Sequence, residues 1–256
     1  MKILKLGQML GGSNTPSAAG FENLYSLDFD GVNDYVTIPS NAAYTPTVGG
    51  WTISHWIKTT QANKKYITKF AAGNVEWILG TAKTTGYASI QFYGGNFQGN
   101  TVTFTPTLNL ADGNWHHVVF TFNGLNISTG TLGYIDGVKY SLALGNANWY
   151  TSGTWAGVTA SATPVTFGEY GGFSWADCFL DEVSIFDSVL SDATAVAMYN
   201  SGTPTDLTGA TDLQSWWRNG DTAGTSVFPT IEDYGPIGSN GLMVNMASGD
   251  IVTDVP

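Results

Sequence analysis

Apolar and polar residues alternate along most of this chain, with the two-residue period of a β-strand that has one buried face. Leu27 and Phe29 alternate with polar neighbours in this way, and residues 115–122 are the strongest candidate for a central strand. The pair Asn123-Gly124 is typical of a tight hairpin turn. The pattern predicts many short antiparallel strands joined by tight turns.

One segment after the strand 179–186 has the helical period instead. Ser191 is a natural N-cap, and Asp192 places a negative charge in the first turn. We therefore predict one short helix near residue 200. Its expected apolar stripe consists of Val196, Ala197 and Tyr199.

Five segments together resemble the laminin-G-like, concanavalin-A-like jelly-roll domains, and they occur in that family's order. They are YSLDFDGVNDYVTIP (25–39), WTISHWIKTT (51–60), DGNWHHVVFTFNG (112–124), LGYIDGVKY (132–140) and FLDEVSIFDSVLSDATAVAMYNSG (179–202). The resemblance implies an all-β fold, a two-sheet antiparallel jelly-roll sandwich with one short helix near its end. This fold serves lectins, adhesins, enzymes and structural domains, so the resemblance alone implies no single function.

The chain divides into three parts in this interpretation. Residues 1–20 are an N-terminal arm with a short apolar tip and a glycine-rich joint, and residues 21–203 are the jelly roll. Residues 204–256 are a C-terminal extension of extra strands or an interface segment. This extension is too apolar for a solvated tail, and it resembles the tail that follows laminin-G-like domains in phage structural proteins.

Composition excludes several classes of function. The net charge of −11 and the few lysines and arginines argue against nucleic acid, whose phosphates require basic side chains. No apolar run approaches the length of about 20 residues that a membrane helix needs, so we expect no membrane insertion. The single cysteine, Cys178, excludes an intrachain disulfide and is expected to be a small buried side chain.

No arrangement of residues predicts an enzyme. Glucanases of this fold resemble one another in an E-x-D-x-x-E strand, which sets carboxylates across the scissile bond, and this chain has no such triplet. His116 and His117 are adjacent on a strand, so they point to opposite faces and are expected to be structural hydrogen-bonding groups. We predict a protein that is not an enzyme.

A structural calcium ion is the cofactor that the sequence allows. Asp30 and Asp34 flank a tight turn, and Asp181 is expected on the strand face of Val183 and Ile185. Calcium prefers several carboxylate and carbonyl oxygens, and related jelly rolls often hold a cation between their first and last strands. The alternative is that the two turn aspartates only accept hydrogen bonds from backbone amides.

Exposed aromatic residues in the long loops are candidates for glycan binding, since an aromatic ring can stack on the apolar face of a sugar. The same residues could bind a protein partner, because aromatic side chains also dominate protein interfaces. The candidates are Phe97, Trp149, Tyr150, Trp155, Tyr170, Phe173 and Trp175.

The sequence favours a virion protein. Lys5 and Gln8 interrupt the apolar run of the N-terminus well short of a secretory signal, although the fold and the acidic surface are typical of extracellular proteins. We expect a phage decoration, fibre or adhesin subunit that assembles in the host cytoplasm, forms a homo-oligomer with other virion subunits and binds cell-surface glycans. The alternative is a secreted, extracellular carbohydrate-binding module of a polysaccharide-degrading system.

Overall fold

A computed structural model describes residues 21–94, 98–105, 108–125, 127–144, 157–221 and 228–256. The predicted arm, residues 1–20, lies outside this part of the chain. Neither of the described α-helices has the length and apolar character that a membrane crossing requires.

Nearly all of the regular structure is β-strand. The strands are β1 Ser26–Asp30, β2 Tyr35–Ile38, β3 Trp51–Lys58, β4 Lys65–Ala71, β5 Asn74–Thr81, β6 Ala88–Gly94, β7 Gln98–Thr105, β8 Trp115–Phe122, β9 Thr131–Ile135, β10 Val138–Leu144, β11 Val165–Phe167, β12 Glu169–Tyr170, β13 Ser174–Trp175, β14 Asp177–Phe186, β15 Leu213–Trp217, β16 Thr230–Ile231, β17 Gly241–Val244 and β18 Ile251–Val252. The helices are α1 Ile127–Gly130 and α2 Asp192–Ala197.

The strands form two antiparallel sheets. Sheet I has the order β10–β9–β8–β3–β14–β1–β18, with β15 as a further partner of β14. Sheet II has the order β16–β17–β2–β11–β4–β5–β6–β7–β10. Strand β10 belongs to both, because Val138–Tyr140 pair with β9 whereas Ser141–Leu144 pair with β7. This arrangement confirms the predicted two-sheet antiparallel sandwich.

The interior between the sheets is filled by the apolar residues that alternate along the strands. Leu27, Ile53 and Val118 of sheet I meet Trp77 and Ile90 of sheet II in one buried cluster. The residues that alternate with these on each strand point to the opposite side of the sheet, which is its outer face. Cys178 is buried in the same cluster, as the sequence predicts.

Helix α2 covers the outer face of sheet I. Ser191 Oγ accepts a hydrogen bond from the amide of Thr194 at 3.1 Å, which confirms the predicted N-cap. The predicted apolar stripe is wrong, however, because Val196 remains 41% exposed. Ala195 is the helix residue that is buried, against Val119 of β8 and its neighbours, since the outer face of β8 lies beneath that side of the helix.

Residues 204–256 contribute strands to both sheets. In sheet I, β15 pairs with β14 and β18 pairs with β1, whereas β17 pairs with β2 in sheet II. Trp217 is fully buried in the interior cluster, with ring contacts to Tyr44 at 5.7 Å and Phe167 at 5.6 Å. The C-terminal segment is therefore part of the sandwich and shares its core.

A β-bulge in β14 places two neighbouring acids on one face. Asp181 pairs with Trp56 but Ser184 pairs with Ser54, so β14 has one extra residue between them. Glu182 has a φ of +49° at this point. The expectation that Asp181 shares the face of Val183 is wrong, because Val183 faces the interior while Asp181 lies on the outer side with Trp56.

Candidate functional site

The outer face of sheet II carries a mixed polar and aromatic surface. Trp77 and Phe92 point into the interior cluster, so the alternating positions on their strands point outward. The outward positions include Phe70 on β4 and Gln91 and Tyr93 on β6.

The hairpin of β12 and β13 lies against this face over β4. The ring of Tyr170 packs on the ring of Phe70 with centroids 4.4 Å apart, and Phe173 is 6.4 Å from Tyr170. Phe173 is 70% exposed at the hairpin tip. Gly171 has a φ of +58°, and a Cβ on it would collide with the ring of Phe70, so only glycine lets the hairpin approach β4 so closely.

Tyr93 and Gln91 supply polar groups beside these rings. The hydroxyl of Tyr93 donates a hydrogen bond to Gln91 Oε1 at 3.0 Å. Burial, with a contribution from the neighbouring Tyr170, raises the pKa of Tyr93 to about 12, so its hydroxyl stays neutral at physiological pH. We call Phe70, Gln91, Tyr93, Tyr170 and Phe173 together the aromatic patch.

The structure places three of the seven predicted aromatic residues on one hairpin. Tyr170 and Phe173 are in the aromatic patch, and Trp175 lies on the returning strand, where its carbonyl accepts a hydrogen bond from Lys64 Nζ at 2.8 Å. The other four lie outside the described residues and are Phe97, Trp149, Tyr150 and Trp155.

The sequence interpretation missed Phe70, Gln91 and Tyr93. The alternation in SIQFYG (89–94) does mark Gln91 and Tyr93 as outward residues of a strand, and that signal could have revealed them. Phe70 could not be found in this way, because its role depends on the hairpin that crosses it a hundred residues later in the chain.

The two turn aspartates satisfy backbone groups. Asp30 Oδ1 accepts hydrogen bonds from the amides of Val32 at 2.8 Å and Asn33 at 3.3 Å. Asp34 Oδ2 accepts one from the amide of Asp30 at 3.3 Å. These contacts are those of the turn-capping alternative.

Asp181 lies apart from that turn. The register pairs Leu27 with Leu180 and Asp30 with Asp177, so Asp181 is about four residues, or ~13 Å, along the sheet from Asp30. The three carboxylates thus do not fit a single ion. Within the described residues no group of three or more histidine, cysteine, aspartate or glutamate side chains could hold a metal. A role for calcium stays a prediction.

The two adjacent histidines make structural contacts. His116 bonds Asp136 through Nδ1 at 2.8 Å and Asp112 through Nε2 at 3.2 Å. His117 forms a hydrogen bond with Ser54 Oγ at 2.8 Å, beneath residues that follow α2. Burial lowers the pKa of His117 to about 4. His117 is therefore neutral at physiological pH.

Asp181 and Glu182 belong to a buried charge cluster on the outer face of sheet I. Asp181 Oδ2 accepts a hydrogen bond from Asn23 Nδ2 at 2.9 Å, whereas Glu182 contacts Trp216 Nε1 and Arg218. Burial raises the pKa of both carboxyls, and their mutual repulsion raises that of Asp181 further. Covered in this way, the two acids are not available to a substrate.

Comparison with known proteins identifies the fold family. The family model described as "Concanavalin A-like lectin/glucanases superfamily" matches residues 30–195. No curated protein matches the sequence.

Solved structures resemble the fold at low sequence identity. A protein from Bacteroides ovatus, described as a candidate carbohydrate binding protein, aligns with a TM-score of 0.58 and 17% identity over 92% of this chain. This chain spans 62% of that protein's length. The native heptameric SAP-like pentraxin from Limulus polyphemus aligns with a TM-score of 0.49 and 15% identity over 69% of this chain and 82% of its own. At these identities the similarity shows the fold alone.

Proposed function

Since this chain belongs to the concanavalin A-like lectin/glucanase superfamily, we propose that it is a lectin-like protein without catalytic activity, which binds glycans through the aromatic patch. The observation that carries the proposal is the exposed ring of Phe173 beside the closely packed rings of Tyr170 and Phe70. Such rings offer an apolar surface of fixed orientation, because Gly171 holds the hairpin tightly against β4.

The polar groups beside the rings suit sugar hydroxyls. Gln91 offers an amide that can donate, and the neutral Tyr93 hydroxyl can donate or accept. An exposed aromatic ring with hydrogen-bonding groups beside it offers an apolar surface and polar contacts together, and a sugar presents both kinds of surface. The Bacteroides ovatus protein, described as a candidate for carbohydrate binding, supports the same class of ligand.

Catalysis is disfavoured by the acids at hand. Glycoside hydrolysis requires two carboxyl groups that face each other across the scissile bond. Glu169 is the one acidic residue among the described residues of the β12–β13 hairpin. Its Oε2 accepts a hydrogen bond from the amide of Gly172 at 2.9 Å. A binding role agrees with this better than hydrolysis does.

Two substitutions in the patch test the proposal. Phe173→Ala and Tyr170→Ala should each weaken binding to the glycans that a glycan array identifies by about tenfold, which is about 1.4 kcal/mol. Leu125→Ala is the control, because Leu125 is 64% exposed and lies outside the patch. Calorimetric titration measures the affinities. Unchanged affinity in both patch variants, or no glycan binding by the wild type, would contradict the proposal.

We place this lectin-like domain on a phage-like particle, as an adhesin, fibre or decoration subunit. The support is in the sequence, from the apolar tip within residues 1–20 and the phage-like C-terminal segment. The alternative is a secreted carbohydrate-binding module. Electron microscopy of particles from the producing cell decides between them, since antibody label on the particle is expected only for the virion role.

A further inference from the structure

Lys65 lies on the same outer face of sheet II as the aromatic patch. It pairs with Gly80, whereas Ile67 pairs with Leu79, so Tyr66 is an extra residue in β4. Tyr66 points inward, where its hydroxyl bonds His55 Nε2 at 3.3 Å. Because of this bulge, the side chain of Lys65 lies on the opposite, outer face of sheet II.

Gly80 makes room for the lysine stem. Its neighbours Trp77 and Leu79 point into the interior, so position 80 points outward. A Cβ on Gly80 would collide with the backbone oxygen of Lys64 and would lie 2.6 Å from Lys65 Cδ. The backbone of Lys64 and the aliphatic stem of Lys65 thus fill the space that any other residue at position 80 would occupy.

The ammonium of Lys65 has no described partner. The chain has 9 lysines and arginines. Five of them donate to oxygen atoms of the described residues, and these are Lys58, Lys64, Lys69, Lys139 and Arg218. No such contact is made by Lys65 or by the exposed Lys83 within the described part of the chain.

Lys65 therefore differs from an ordinary surface lysine. It is half-buried, and this burial lowers its pKa to about 8 with no opposing charge to offset the effect. At pH 7 the ammonium is still mostly protonated. An anion that reached it would interact more strongly than at a fully solvated lysine, because the surroundings screen the charge less.

We propose that Lys65 binds a carboxylate of an acidic glycan, so that the ligand class of this protein is oligosaccharides with uronic or sialic acid residues. The proposal rests on the proposed glycan binding at the aromatic patch and names its ligand. Lys65 would select the charge while Tyr170 and Phe173 hold a sugar ring.

The spacing requires a ligand of several sugars. Along β4, Lys65 and Phe70 are five residues apart with one bulge residue between them, which corresponds to ~13 Å. Ile78, which lies between them on the face, is buried, so the ligand has two separate contact regions. A monosaccharide would not reach both, whereas an oligosaccharide would.

Matched ligand pairs test the proposal. Oligogalacturonate, oligoglucuronate and sialyllactose are each titrated against the wild-type protein at pH 6.5, beside their methyl esters, which carry a neutral ester in place of each charged carboxylate. We expect at least one acid to bind about tenfold more tightly than its ester. Lys65→Gln should abolish the difference between acid and ester, whereas the control Lys83→Gln should preserve it.

A pH series separates a charge contact from a structural role. In the wild type, the preference for the acid should disappear between pH 7 and pH 9.5, as Lys65 loses its proton. Lys65→Arg should retain the preference over this range, because arginine stays charged. Equal melting temperatures of the variants confirm that they fold.

The outcomes distinguish the two proposals. Equal affinity for every acid and its ester, or an acid preference that survives in Lys65→Gln, overturns the role of Lys65 and leaves glycan binding intact. If no glycan of the array and no member of the pairs binds, both proposals are overturned.

Discussion

At the scale of single residues, the most unusual feature is the adjacent buried pair Asp181 and Glu182. The bulge in β14 turns both to the outer face of sheet I, where Arg218 is 3.3 Å from Glu182 and 3.2 Å from Asp221. One cation thus serves a cluster with three carboxyl groups. Asp181 is fully buried, and its hydrogen-bond donors among the described residues are Asn23 and one backbone amide. Its charged form is therefore the least favoured of the three.

The raised pKa values set the direction of the pH dependence. A carboxyl whose pKa is higher in the folded state than its usual value near 4 binds more protons when folded. Its contribution to stability is complete below pH 4 and is lost as the pH rises through the folded pKa. This cluster therefore favours the folded state less at pH 8 than at pH 5.

Asp181→Asn should increase the free energy of unfolding at pH 8 by about 1 kcal/mol, because it removes a buried charge that lacks a cation of its own. The new amide can still accept from the Glu182 amide. Asn23 Nδ2 faces the replaced oxygen, and a half-turn of the Asn23 amide brings its Oδ1, which has no hydrogen-bond partner in the described structure, into position to accept from the new NH2 group. The decline in stability between pH 5 and pH 8 should also become smaller. Denaturant unfolding at both pH values measures these effects.

Glu232→Gln is the matched control, because Glu232 is an exposed carboxylate and its replacement should change neither quantity. A loss of more than about 1 kcal/mol at pH 8 in Asp181→Asn would contradict this account, since it would mean that the ionised carboxylate is required.

At the scale of elements, the turn between β1 and β2 tests whether its aspartates cap backbone amides or bind calcium. Asp30→Ala should lower stability by about 1 kcal/mol, because two amides lose their acceptor. Asp30→Asn should lower stability little, since its side-chain carbonyl oxygen can still accept. A chelator should change the melting temperature of neither the wild type nor Asp30→Asn. Thermal unfolding with and without chelator measures this. A lower melting temperature of the wild type in chelator would instead support a bound cation.

The elements show what local sequence can predict. The strands and the cap at Ser191 were predicted correctly, because alternation and capping are properties of neighbouring residues. The bulge at Glu182 was not, since a non-glycine residue with a φ of +49° has no local signature and depends on contacts with Trp216 and Arg218. The buried side of α2 was also assigned wrongly, because it is fixed by the strand beneath it.

The candidate site was predictable only in part for the same reason. Tyr170 and Phe173 were found as aromatic residues in a glycine-rich loop, which is a local feature. Their partner Phe70 and the charge of Lys65 enter the site through sheet pairing and through a hairpin that crosses β4. No periodicity within β4 shows what will cover it.

At the scale of the whole molecule, the first and last segments of the described residues pack against sheet I. Phe21 stacks on Trp216 with centroids 5.9 Å apart, and the guanidinium of Arg218 lies 4.6 Å from the Phe21 ring. Near the C-terminus, Asp254 accepts hydrogen bonds from Lys58 and from Trp115 Nε1. Contacts between residues far apart in sequence therefore attach both segments to sheet I.

Deleting residues 204–256 should for this reason abolish the fold. The deletion removes a strand next to β14, another next to β2 and a third next to β1, and it takes Trp217 from the interior and Trp216 from the outer cluster. Loss of a large buried aromatic side chain alone costs about 3–5 kcal/mol, whereas a domain is stable by only about 5–15 kcal/mol in total. We expect insoluble protein, or soluble protein without a cooperative thermal transition.

Deletion of residues 1–20 is the control, since the protein then starts at Phe21 and keeps every contact among the described residues, so its melting temperature should be unchanged. A cooperative transition in the protein that ends at residue 203 would mean that the jelly roll folds independently and that the C-terminal strands only cover it.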